Sequence, residues 1–129
     1  MIRRPRVHNE KHLKFVRGLP CCVCGNNIAS EAAHVRFACE AVGKRKVGVG
    51  EKPDDKWTVP LCGMHHRMQH EWGEREFWKA YGKDPIVIAQ ALWMWTGDQE
   101  AGEGITGARW LERERLKIAT KANNRRFNS

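Results

Sequence analysis

Apolar and polar positions change rhythm along this chain, and the changes divide it into segments. Residues 1–17 form a basic lead-in with Arg3, Arg4, Arg6, Lys11, Lys14 and Arg17. "GLPCCVCGNN" reads as a tight turn in which Gly25 supplies a left-handed backbone. "ASEAAHVRFACEAV" mixes apolar and polar positions and fits a strand or a helix. "GKRKVGVGEKPDD" predicts a flexible, positive loop. "KWTVPLC" is a short β-type run that Pro60 is expected to stop. Helical spacing then runs from about Met64 to Tyr81, with Gly73 as a break. In "KDPIVIAQALWMW", Asp84 is the expected N-cap and Pro85 the first helical residue. "TGDQEAGEGITG" reads as a polar, glycine-rich connection, and a last helix is expected from Ala108 to Ala122. The aromatic residues Trp72, Phe77, Trp78 and Tyr81 fall near helical spacing, as do Trp93 and Trp95 with Ile86, Ile88 and Leu92. All are expected in the core.

Composition sharpens this picture. A chain of 129 residues with 41% hydrophobic content suits one small domain with a modest core. Lys and Arg total 23 against 15 acids, a formal net charge of +8, which favours a polyanionic partner such as DNA. No apolar run approaches the length of about 18 residues that a membrane helix needs. The charged start has no apolar core behind it, so no signal peptide is expected. Five cysteines is an odd count, and they lie near histidines. That pattern suits a reducing, cytoplasmic compartment and metal binding rather than a disulfide framework.

The metal chemistry has a specific spacing. Cys21 and Cys24 form a C-x2-C pair, and Cys62 and His65 form a C-x2-H pair. Each short gap lets a pair span one edge of a tetrahedron, so together they offer the four thiolate and imidazole donors of a closed structural zinc site. Cys22 is the alternative to Cys21. His66 and His70 remain outside this set. They lie four residues apart, share one face of a helix, and are suited to a second, open metal position. His34, in "EAAHVR", is the candidate general base, since imidazole accepts a proton near neutral pH.

The order C-x2-C, His, C-x2-[C/H]-His-x3-His, carried by "LPCCVCGN", "AAHVR" and "KPDDKWTVPLCGMHHRMQHEWGEREFW", resembles the HNH endonucleases of the ββα-metal (His-Me finger) type. The zinc-stapled branch found in phage genomes, which includes RecA-dependent recombination nucleases, is similar over roughly residues 18–80. The resemblance implies an α+β protein: a small ββα-metal core stapled by structural zinc at residues 18–82, followed by C-terminal helices at 83–129. It implies metal-dependent hydrolysis of DNA phosphodiesters in phage or bacterial DNA metabolism. His34 takes the place of the general base, His66 that of the catalytic-metal ligand, and His70 that of a further ligand. The catalytic metal is Mg2+, Mn2+, Ni2+ or Zn2+.

Two positions depart from that pattern. Ala33 stands where the family has an acidic or histidine ligand, so Glu31 or Asp55 is the candidate oxygen donor. The middle residue of the HNH label is also missing, and Asp54, Asp55 or Thr58 is left to brace the base-bearing loop, with Asp55 preferred. Arg36, Lys44, Arg45 and Lys46 are expected to contact phosphates. The alternative function is a zinc-stapled nucleic-acid-binding module without catalysis.

Overall fold

Two short strands organise the chain. In the computed structural model, which describes residues 7–27, 29–44 and 53–107, β1 (Ser30–His34) pairs antiparallel with β2 (Thr58–Cys62). Ser30 faces Cys62 and His34 faces Thr58 across the ladder. Around the pair are α1 (Glu10–Arg17), α2 (Gly63–Trp72), α3 (Glu74–Tyr81), α4 (Pro85–Met94) and α5 (Gln99–Thr106), with a 3-10 turn at Glu40–Val42. The described residues are thus mixed α+β, and no helix among them is long and apolar enough to cross a membrane.

The side chains of paired strand residues alternate between two faces, and each face has its own cover. Ala33, Val35, Trp57, Val59 and Leu61 bury one face against Phe77 and Trp78 of α3 and Ile86 and Ala89 of α4. On the other side Phe15, Val16 and Leu19 pack with Leu92, against Ala32, Ile88 and Ile105. The basic lead-in therefore contains a core helix. Its cap explains where that helix starts: Asn9 Oδ1 accepts the His12 amide at 3.1 Å.

Pro60 does not stop β2; it sits inside the strand opposite Ala32. A two-stranded sheet has only edge strands, and a residue without an N–H is tolerated where that group would point away from the partner. Gly73 breaks the long helical pattern at φ 86°, which separates α2 from α3. Asp84 caps α4 by accepting the Ile86 amide at 2.9 Å, with Pro85 as the first helical residue.

The segment expected as a polar connection is instead α5. Asp98 caps it by accepting the Ala101 amide at 3.0 Å. Gly102 is buried, and a Cβ there would stand 2.6 Å from Leu19 Cδ2 and 2.9 Å from Phe15 Cζ. Glycine serves close packing there, not flexibility. Two expected core aromatics also differ: Trp72 and Trp95 are 47% and 51% exposed. The expected helix from Ala108 to Ala122 lies outside the described residues.

Candidate metal centre and active site

The two metal-spacing pairs meet at the join between β2 and α2. Cys62 ends the strand and is the N-cap residue of the helix, so His65 one turn later returns to the same place. The loop at Cys21–Cys24 reaches it because Gly25, at φ 75°, turns the chain back and donates its amide to Cys21 O at 2.8 Å. The Cys22 amide donates to Pro60 O at 3.0 Å, which fastens this loop to β2. The Lys83 ammonium donates to Cys22 O from the other side.

The four donor atoms of Cys21, Cys24, Cys62 and His65 all lie within 4.8 Å of one another. Cys62 Sγ is 3.1 Å from His65 Nδ1, Cys21 Sγ is 3.9 Å from the same nitrogen, and Cys24 Sγ is 3.9 Å from Cys62 Sγ. The edge of a tetrahedron with Zn–S bonds of about 2.3 Å is about 3.8 Å, so these spacings suit one tetrahedral ion.

The thiol electrostatics agree with that fit. Burial pushes the Cys24 thiol up to about 11, and the neighbouring Cys21 adds to the rise. At Cys21 burial opposes ionisation, but hydrogen bonds from the backbone around Cys62, Cys24 and Val23 outweigh it and lower the thiol. Crowded thiolates repel, and a shared cation relieves the repulsion. Burial also lowers His65, favouring the neutral imidazole a metal requires. Cys22 lies outside the converging group; its thiol is fully buried, and burial pushes it up to about 12. Cys21, Cys24, Cys62 and His65 thus form a group that can hold a metal ion.

The other candidate residues surround the ends of the same elements. His34 closes β1, and its Nε2 is 3.0 Å from Asp55 Oδ1. Asp55 lies in the turn before β2 and is wholly buried; its carbonyl accepts the Thr58 hydroxyl at 2.8 Å. Both oxygens of Glu74 accept the Arg36 amide, at 3.1 and 2.9 Å, and hold the chain just beyond His34. Asp55 is therefore paired with the imidazole, and Glu31 is the acid beside the helix histidines. Glu31 Oε2 is 2.9 Å from His66 Nδ1, and the His66 and His70 ring centroids are 4.9 Å apart.

Two further residues join Asp55 that the sequence did not single out. His8 Nδ1 lies 2.7 Å from Asp55 Oδ2, and the Asn9 amide donates to the same oxygen at 2.7 Å. His12 is completely buried, with Nδ1 2.7 Å from Thr96 Oγ1 and its ring edge-on to Trp93. Burial lowers it to about 4 against the opposing pull of the Asp55 charge, so it is neutral in the folded protein.

Among the expected phosphate contacts, Lys44 is corrected. It is 3% exposed, its ammonium donates to Phe37 O at 2.5 Å, and it stands over the Trp57 ring. A cation spent on a buried carbonyl and an aromatic face braces the loop and is not presented to a ligand. Arg36 is half-buried, and Arg45 and Lys46 lie outside the described residues.

Comparison with known proteins places the chain in a family. It is 32% identical over 68 residues to "Uncharacterized protein YdfU" of Escherichia coli (strain K12), a match covering 53% of this chain and 18% of that protein. The chain thus spans less than a fifth of that relative. No solved structure matches. A family model described as "Protein of unknown function (DUF968)" matches residues 2–95, and the chain belongs to that family.

Proposed function

We propose that the protein is a metal-dependent DNA endonuclease of the HNH, ββα-metal type, with a structural zinc on Cys21, Cys24, Cys62 and His65. The observation that carries the reading is the His34–Asp55 pair. A buried carboxylate from the turn before β2 holds the imidazole that ends β1, with Asp55 Oδ1 3.0 Å from His34 Nε2. This arrangement keeps the ring proton on Nε2 and leaves Nδ1 as the basic atom, which orients an imidazole to take a proton from water.

The helix histidines supply the second support. Glu31 accepts the Nδ1–H of His66 and leaves Nε2 for a cation, the common way a carboxylate orients a metal-binding imidazole. His70, one turn on, adds a second donor. Neither ring is deeply buried, as an open position for a phosphate requires. A divalent ion bound there would supply charge neutralisation at the phosphate and the departing 3′ oxygen. His34 would then remove the proton from the attacking water, and Asp55 would balance the resulting imidazolium.

The basic composition supports DNA as the polyanion, and the resemblance supports a role in phage or bacterial recombination. One observation favours the binding-only alternative: Ala33 is 1% exposed and packs in the core where the resemblance expects a metal ligand. The deciding experiment incubates the protein with supercoiled plasmid and Mg2+, Mn2+ or Ni2+. Nicking that His34→Ala abolishes supports the nuclease. Plasmid binding with one tightly held zinc, no exchangeable metal and no cleavage supports the module.

A further inference from the structure

We infer that His8 is a positioning residue of the proposed site. With the Asn9 amide it fixes the Asp55 carboxylate, and through it the orientation and tautomer of His34. The catalytic consequence rests on the nuclease reading above; the effect on the His34 ring does not.

The geometry begins with the carboxylate. Asp55 is wholly buried, and a buried carboxylate must be met by donors. Its two oxygens are divided between different elements. Oδ1 meets His34 from the end of β1, while Oδ2 meets His8 Nδ1 and the Asn9 amide, both at 2.7 Å. Two donors on Oδ2 remove the rotation about the Cβ–Cγ bond. Oδ1 then has one place to stand, and so has the Nε2–H it accepts.

The segment that provides these donors is itself anchored at several points. The Val7 amide donates to Asp54 Oδ1 at 2.7 Å, and the Asp55 amide donates to Val7 O at 2.9 Å. On its other side the strap runs into α1, because the same Asn9 that donates its amide to Asp55 also caps that helix. His8 is thus placed by neighbours on both sides. Its side chain is 59% exposed, so apolar packing does not explain why the ring lies against Asp55. The contact that accounts for its position is the carboxylate oxygen. Either the neutral Nδ1–H tautomer or the cation of His8 donates there, so the role needs no particular protonation state.

Losing the His8 donor removes one of the contacts that hold Oδ2 and loosens the carboxylate. His34 then samples other ring orientations and the Nδ1–H tautomer, which has no basic atom at Nδ1. The test compares wild type, His8→Ala and His8→Asn, whose side-chain N–H can reach the place of Nδ1–H. Plasmid cleavage is measured alongside zinc content, melting temperature and 15N NMR of the His34 ring. His8→Ala is expected to lower kcat about tenfold with KM and zinc content unchanged, the size typical for loss of a group that orients a reacting residue. His34 is expected to pass from one Nε2–H tautomer to a mixture, and His8→Asn to restore both readings.

An unchanged His34 ring and unchanged kcat in His8→Ala overturn the proposal. So does an equal loss in both variants that follows a lowered melting temperature, which would make His8 merely structural. If the wild type does not cleave under any metal, the nuclease reading fails, and the NMR comparison alone decides the role of His8.

Discussion

The closed Cys/His set and the proposed open site meet at α2 and the β1–β2 ladder, yet they follow opposite plans. The Cys21, Cys24, Cys62 and His65 set is closed: four donors converge within 4.8 Å, and three of the four residues are buried. Around His34, His66 and His70 the imidazoles are partly accessible, and each of the first two leans on a carboxylate instead of a sulfur. A closed site holds chain segments together, and an open one leaves room for a ligand. Adjacent residues, His65 and His66, fall to the closed set and to the proposed open one because neighbours on a helix point about 100° apart.

The largest way to break this contrast is to remove the closed site. Chelation, or Cys24→Ala, is expected to abolish cooperative thermal unfolding, since structural zinc contributes about 10 kcal/mol or more in small domains. Cys22→Ala is the matched control and should keep one zinc per chain. Equal zinc loss in both variants, measured by mass spectrometry of the native protein, would contradict the ligand set.

Next in size is the open site. His34→Ala should reduce plasmid nicking by about 10²–10⁴-fold while zinc content and melting temperature hold. His70→Ala should instead raise the concentration of Mn2+ or Ni2+ needed for half-maximal nicking. A fall in zinc content in either variant would show that the two sites are not separate.

Smaller effects lie away from both. Gly102→Ala forces a methyl group into Leu19 and Phe15 and should cost about 1–3 kcal/mol in urea unfolding, without altering metal content. Changed metal content there would mean that the α1–α5 contact supports the sites directly.

His12 gives a pH effect. Its folded value is about 4, below the unfolded value of about 6.5, so the unfolded chain takes the proton first as pH falls. Stability from this group is therefore present above about 6.5 and lost on descending toward about 4. Between pH 7 and pH 5 the loss should be about 2 kcal/mol, and His12→Gln should remove that share of the slope. Parallel slopes in the two proteins would contradict the neutral, buried assignment.

How much of this was legible in the sequence depended on distance along the chain. The donor pairs were readable because a two-residue gap is itself the geometric requirement, and Asp84 with Pro85 marks a helix start locally. Asp55 stood out through its place before a β-type run. His8 and Asn9 did not, because their contact with Asp55 spans 46 residues in the case of Asn9 and leaves no periodic trace. Gly102 misled in a different way: glycine in a polar segment suggests a turn, and only the approach of Leu19 shows why a helix needs it. Lys44 belonged to a positive loop that reads as phosphate-binding, but the aromatic face of Trp57 and the Phe37 carbonyl lie within its reach.

The pairing of Ser30 with Cys62 would give a bound metal a second task. Burial of both faces already favours this register, since a slip of one residue turns every side chain to the other face. Such a slip would carry the Cys62 sulfur away from Cys21 and Cys24, and would move His34 off its place opposite Thr58 beside Asp55. Only one alignment of the strands satisfies the ion. A metal bound here would therefore act as a proofreader of strand alignment, and would favour the arrangement in which histidine and aspartate meet.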